Sequence, residues 1–187
     1  MIRRAEPEDA HDIALAHVTA WRVAYRGIVP DAFLDSADFA NARIAGWHRR
    51  LHDGRPDGWD EQDEIFAAVI DGRVVGFGHV GRERTDDGPG ERGEVYGFYL
   101  HPDSWGSGVG DALMAMCEAT LRERFPTAVL WVLRDNPRAR RFYERAGWSC
   151  GVGAEMVEAM WEGPQMADIP LLDPLAEIQY RRDFAVR

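Results

Sequence analysis

A chain of 187 residues, 45% hydrophobic and 29% charged, is long enough for a substantial core and predicts one globular, soluble domain over 1–187. No apolar run approaches the ~20 residues needed to span a bilayer, which excludes a membrane-spanning role. A net charge of −10 excludes nonspecific nucleic-acid binding; it suits both the steering of a cationic acceptor and an acidic surface kept for solubility.

Met1-Ile-Arg-Arg runs into Glu6, Glu8 and Asp9 with no apolar stretch between, so no signal peptide is expected. Cys117 and Cys150 are too few for a disulfide framework and suit a reduced, cytoplasmic compartment. No His, Cys or carboxylate spacing marks a metal site.

In chain order, 2–5 reads as a short strand. Pro7 and its acidic neighbours then open a helix in which Ala14, Val18, Trp21 and Tyr25 recur at helical spacing, up to Gly27. A short helix follows from Pro30, and another over 38–51 with Phe39, Ile44 and Trp47 as its apolar positions. Residues 52–64, rich in glycine and acids, read as a loop. The apolar run 65–70 is a buried strand, Asp71-Gly72 a hairpin turn and 74–80 its partner, with 86–90 a second loop. The aromatic and β-branched run 94–100 is the central strand, ended by His101-Pro102.

Gly106, Gly108 and Gly110 then turn the chain into a helix with Val109, Leu113, Met116 and Thr120 on one face. Such a turn aims unpaired N–H groups and a positive helix end at one spot, a ready anion site. It is neither a P-loop, since Asp111-Ala112 stand where Lys and Ser/Thr are needed, nor a dinucleotide fingerprint, whose third glycine falls at Asp111. Residues 127–133 form a fifth strand. Asn136-Pro137 opens a helix that carries Ala139, Phe142, Tyr143 and Ala146 on one face and ends at Gly147. Strands around 152–160 and 176–184, joined by a proline-rich link at 163–174, complete the chain. The expected architecture is α/β (α+β), a mixed sheet of about seven strands with helices on both faces.

Two segments together, Leu100-His-Pro-Asp-Ser-Trp-Gly-Ser-Gly-Val-Gly and Asn136-Pro-Arg-Ala-Arg-Arg-Phe-Tyr-Glu-Arg-Ala-Gly-Trp148, resemble the GNAT superfamily of acyl-CoA-dependent N-acetyltransferases. The resemblance extends over nearly the whole chain. It implies a sheet whose fourth and fifth strands splay apart to admit the pantetheine arm of acetyl-CoA. It also implies that the backbone amides of Gly106, Ser107, Gly108, Val109, Gly110 and Asp111 bind the pyrophosphate. Phe98, Tyr99 and Leu100 would run along the pantetheine, with the Leu100 amide as oxyanion donor, and Asn136 and Ala139 would touch the cofactor from the later helix. Asn136 has two readings, a pantetheine contact and a helix cap.

Three positions depart from the family pattern. Trp105 replaces the usual Gln or Arg, Ser107 replaces a common basic residue, and Asp111 adds a negative charge beside the anion site. Arg138, Arg140 and Arg141 are candidates to compensate.

Acetyl transfer to an amine needs a base, an oxyanion donor and an acid for the departing thiolate. Tyr143 is the candidate acid, a role that relatives give a tyrosine here, though spacing alone reads it as a core aromatic. Glu94 is the candidate base, at the start of the central strand and on one face with Tyr96, Phe98 and Leu100 by alternation; a solvated strand-end carboxylate is its other reading. Trp21, Tyr25 and Phe33 lie where relatives build part of the acceptor pocket, with Tyr96 beside them, and core packing also accounts for the first two. The expected function is acetyl transfer from acetyl-CoA to a primary amine, on a small molecule or a protein N-terminus. A non-catalytic acyl-CoA sensor is the alternative, and a homodimer is left open.

Overall fold

A computed structural model of the chain describes residues 1–53, 63–85, 88–150, 156–158 and 176–184. Its elements follow the expected order: β1 (Ile2–Arg4), α1 (Ala10–Ala24), α2 (Asp31–Leu34), α3 (Ala37–His52), β2 (Glu64–Ile70), β3 (Arg73–Thr85), β4 (Gly88–Leu100), α4 (Val109–Arg122), β5 (Thr127–Leu133), α5 (Pro137–Arg145), β6 (Met156–Glu158) and β7 (Ala176–Asp183). The strands form one seven-stranded sheet in the order β1-β2-β3-β4-β5-β7-β6. β4 and β5 pair in parallel, and every other neighbouring pair is antiparallel.

α4 and α5 cover one face. Leu113, Cys117 and Leu121 of α4 and Tyr143 of α5 pack there with Val80, Val95, Leu130 and Tyr180 of the sheet. Removing a leucine as buried as Leu113 from water contributes roughly 1.5–3 kcal/mol. α1 and α3 cover the other face, where Ile13, Ala14 and Trp47 close on Phe77. Ser36 caps α3 by accepting the Phe39 N–H at 3.1 Å, so the helix begins one residue before the expected Asp38.

Two expected boundaries move. β3 and β4 form a hairpin of two thirteen-residue strands, so 88–90, assigned to a loop, belong to β4. Cross-strand pairing up to Thr85↔Gly88 overrides the local turn propensity of glycine and proline. Residues 86–87, most of the 52–64 loop and the 163–174 link lie outside the described residues, and of the 152–160 strand only Met156–Glu158 is described.

The second correction concerns Glu94. It lies inside β4 rather than at its start, 3% exposed. Nor does it share a face with Phe98 and Leu100. The β3–β4 register shifts between His79↔Gly97 and Val80↔Val95, leaving Tyr96 as an extra residue, and one extra residue inverts the alternation. Val95, Phe98 and Leu100 therefore pack on the α4–α5 side. Glu94 and Tyr99 face the α1–α3 side, as their partners Gly81 and Phe77 do.

Candidate active site

β4 and β5 are paired only at Gly93↔Ala128, Glu94↔Val129 and Val95↔Leu130. Beyond that point β5 stays with β7 as far as Leu133↔Glu177, while the end of β4 stays with β3, so the sheet forks. The His101 N–H donates to the Val75 carbonyl. By alternation, the N–H groups of Leu100 and Phe98 then point away from β3, into the fork. A cleft of about 1990 Å³ passes through the fork from the glycine loop to the α1–α3 face.

The loop after β4 is held by its own bonds. The Ser107 N–H and hydroxyl both donate to the Ser104 carbonyl, the hydroxyl at 2.6 Å, and the Val109 N–H reaches the Ser107 Oγ at 3.4 Å. Gly108 stands before α4 at φ +84°, in the left-handed region that a side chain resists. A Cβ at Gly110 would lie 2.9 Å from a Leu100 methyl and 3.4 Å from the Phe142 ring, so a side chain there would push the Leu100 methyl aside where α4 starts against β4. Among the described residues, the amides of Gly106, Gly108, Gly110 and Asp111 donate to no other backbone group. These four residues line the cleft; Ser107 and Val109 do not, and the Val109 side chain is in the core.

Trp105 belongs to this construction. Its indole N–H donates to the Leu100 carbonyl at 3.0 Å, tying the loop to the strand end. The Arg138 guanidinium lies 3.7 Å from the Trp105 ring centre, which brings a positive charge beside the loop where Ser107 and Asp111 supply none. Arg140 turns elsewhere, onto the Tyr180 hydroxyl and the Arg134 carbonyl. Since the indole occupies the Leu100 carbonyl, only the Leu100 N–H is offered to the fork. The wall suits a long ligand with a phosphate end and an amide-bearing arm: loop amides and Arg138 for the one, the open edge of β4 for the other.

α5 holds the opposite bank. The Asn136 side chain accepts the Ala139 N–H at 3.1 Å, so the cap is made, and Asn136 and Ala139 also line the cleft. The Trp148 N–H returns to the Tyr143 carbonyl across Gly147, and the Trp148 indole donates to Glu118 at 2.8 Å, fastening the helix end to α4. Tyr143 is thereby fixed in the cleft wall near Phe98 and Tyr180, with no hydrogen bond to its hydroxyl among the described residues. Burial pushes its pKa up, so the hydroxyl keeps its proton at neutral pH.

On the α1–α3 side, Tyr25 and Tyr99 share a hydroxyl contact of 3.3 Å, and both phenols are raised by burial. Trp21 and Tyr25 line the cleft, whereas Phe33 packs on Phe39 and stays outside it. Tyr96 lines the cleft with its hydroxyl committed to Asp63 at 3.0 Å and to the Arg82 carbonyl. Both Glu94 oxygens are engaged by Arg84, one by its backbone N–H at 2.9 Å and one by its guanidinium at 3.1 Å.

Glu177, which carried no motif, lines the same cleft, as Asp63 and Glu83 also do; Asp63 accepts from Tyr96 and Glu83 from Arg92. Glu177 pairs with Leu133, level with the fork, whereas Glu94 pairs with Val129, four residues lower on β5. It makes no ion pair or hydrogen bond among the described residues. Burial first, and the Glu94 charge second, raise its pKa. Its only sequence signal is a glutamate at period two from Gln179 on a strand whose other face is apolar.

A mixed sheet forked beside a glycine loop, with the N-terminal end of a helix on one face and an aromatic pocket on the other, is the GNAT architecture. PaiA N-acetyltransferase from Thermoplasma acidophilum, solved in complex with coenzyme A, matches 98% of this chain and 98% of its own at a TM-score of 0.67 and 15% identity. The pattern of the acetyltransferase (GNAT) family matches residues 31–148, and the chain belongs to that family. YuaI, an uncharacterized N-acetyltransferase of Bacillus subtilis, is 32% identical over 137 residues, covering 73% of each chain. Mycothiol acetyltransferase of Cellulomonas flavigena is 32% identical over 79% of this chain, which spans only 45% of that protein. Among the described residues, no helix is long and apolar enough to cross a membrane.

Proposed function

We propose that this protein transfers the acetyl group of acetyl-CoA to a primary amine, with Tyr143 as general acid and Glu177 as general base. The observation that carries the reading is the fork: the loop amides, the Leu100 N–H and the Tyr143 hydroxyl all open into one cleft. Family membership and the names of the relatives support acetyl transfer and leave the acceptor open.

Acetyl-CoA, when bound, supplies an activated acyl thioester. The amides of Gly106, Gly108, Gly110 and Asp111, with Arg138 beside them, would hold its phosphates, and the open edge of β4 would align its amide-bearing arm. The Leu100 N–H, which points into the fork, would stabilise the charge that develops on the acyl oxygen. The Tyr143 hydroxyl holds the proton that the departing sulfur needs.

An amine of pKa near ~10 must lose a proton before it attacks. Glu177 receives it, directly or through one water. It lies level with the fork and has no partner among the described residues, and a raised proton affinity makes it a better base at neutral pH than an ordinary carboxylate. Glu94, expected as the base, lies lower and has both oxygens occupied by Arg84. Its role is to supply the negative field that raises Glu177 and attracts the amine.

Release of CoA thiol on adding amines to wild type, Tyr143→Phe, Glu177→Gln and Glu94→Gln tests the assignment. Glu177→Gln should lose more activity than Glu94→Gln; the reverse order would return the base role to Glu94. Saturable acetyl-CoA binding with no turnover on any amine would leave a sensor of the same fold.

A further inference from the structure

At the α1–α3 end of the cleft lies a cation, Arg43, with no counter-ion among the described residues. Arg43, on α3, lies with its guanidinium 4.7 Å from the Trp21 ring centre and 5.5 Å from that of Phe39, and it lines the cleft. No hydrogen bond or ion pair to it occurs among the described residues. Its neighbours cannot neutralise it, because Tyr25 and Tyr99 keep their protons.

The floor beneath is neutral too. The Trp47 indole N–H donates to Nδ1 of His17 at 3.1 Å, which leaves the proton of the neutral ring on Nε2, with no partner among the described residues. Burial, with the charges of Arg43 and Arg50, keeps that imidazole unprotonated. Arg43 is itself half-buried, and burial lowers its pKa from the ordinary arginine value.

Stacking on aromatic faces satisfies the plane of a guanidinium and leaves its N–H edge to bind something else. A half-buried cation with no counter-ion among the described residues favours an anion that arrives with a ligand. The cofactor's phosphates are not that anion, because the glycine loop lies on the opposite face of the sheet. One planar fork matches the two oxygens of a carboxylate.

Arg43 and Glu177 each act electrostatically on Tyr99 and Tyr25, and they form no pair with each other. The acceptor end of the cleft thus carries a cation on α3 and an anion on β7, with the two tyrosines between.

We propose that the acceptor is a zwitterionic amino acid, its carboxylate held by Arg43 and its amine presented to the fork beside Glu177. This rests on the acetyl-transfer reading above and adds a substrate class to it. A polyamine, which brings no anion, leaves Arg43 unmatched. Trp21, Tyr25, Tyr99 and Trp47 offer apolar walls, which favour an aromatic or aliphatic side chain over a charged one.

The test pairs each acceptor with its decarboxylated amine: L-phenylalanine with 2-phenylethylamine, and L-leucine with 3-methylbutylamine. In wild type kcat/KM should favour the amino acid by roughly 10- to 100-fold, the usual effect of a lost charged hydrogen bond. Arg43→Met should erase that preference by slowing only the amino acid, with Arg43→Lys intermediate. Equal use of both members of each pair, or an equal loss on both in Arg43→Met, overturns the proposal and leaves acetyl transfer standing.

Calorimetry on the CoA-saturated protein gives a readout independent of turnover. N-acetyl-L-phenylalanine should bind wild type and not Arg43→Met, and N-acetyl-2-phenylethylamine should bind neither. That result without turnover on any amine would sink the enzyme reading and keep the carboxylate site. No binding of the N-acetyl amino acid, or equal binding to wild type and Arg43→Met, overturns the site.

Discussion

The cofactor wall of the cleft comes from one contiguous stretch, Leu100 to Trp148, whereas Arg43, Tyr25, Tyr99 and Glu177 on the acceptor wall come from α3, the end of α1, β4 and β7. The first wall works through backbone groups: amides freed by glycine turns, a helix end, an unpaired strand edge. Short-range sequence encodes these because turn and cap chemistry is local. The second works through side chains whose meaning depends on their neighbours. Arg43 on an isolated helix is a solvated charge; here it is a half-buried cation stacked on Trp21 and Phe39, beside Tyr25 and Tyr99.

Tyr143 stands where the walls meet, so its substitution should have the largest effect. Tyr143→Phe should lower kcat by roughly 10²- to 10³-fold while the calorimetric affinity for acetyl-CoA stays within about twofold. A kcat near wild type would mean that the hydroxyl merely lines the cleft.

Next comes Glu177→Gln, which acts on the acceptor wall alone. We expect kcat/KM at neutral pH to fall about 10²-fold, at the lower end of general-base effects. In wild type the rate should fall as pH drops through the raised Glu177 pKa, and this acid limb should vanish in the variant. The stability effect has the opposite sign. A group whose folded pKa is raised contributes stability below its unfolded pKa and loses it as pH rises through the folded value. Glu177→Gln should therefore melt above wild type at neutral pH, with the difference closing toward pH 4. An unchanged pH–rate profile would return the base to Glu94.

On the cofactor wall, Arg138→Met should weaken acetyl-CoA binding by about 5-fold and flatten its salt dependence, since one cation near the phosphates is worth about 1 kcal/mol when partly exposed. Titration at two salt concentrations reads both effects; unchanged affinity and salt response would confine Arg138 to stacking on Trp105. The smallest effect belongs to Asn136→Ala. Losing the α5 cap should remove about 1 kcal/mol and lower Tm by roughly 2–4 °C, as thermal unfolding would show. A larger drop in activity than in stability would mean that Asn136 also contacts the cofactor.

Element order, the mixed sheet, the glycine loop and the caps at Asn136 and Gly147 were legible in the sequence, because periodicity and turn chemistry act over a few residues. Trp105 read as a defect of the loop, because its partners are the Leu100 carbonyl and an arginine more than thirty positions on. The alternation that grouped Glu94 with Phe98 and Leu100 failed at Tyr96, since a bulge is set by the pairing of two strands and not by either alone. Nothing local distinguishes Glu177 from other strand glutamates, or Arg43 from other helix arginines. By itself, then, the sequence determined the strand–loop–helix framework and the anion end of the cleft, through local backbone chemistry. The tertiary structure alone decided which carboxylate lies level with the fork and which cation has no counter-ion among the described residues, because burial and long-range register, not residue type, set the energy of a charge.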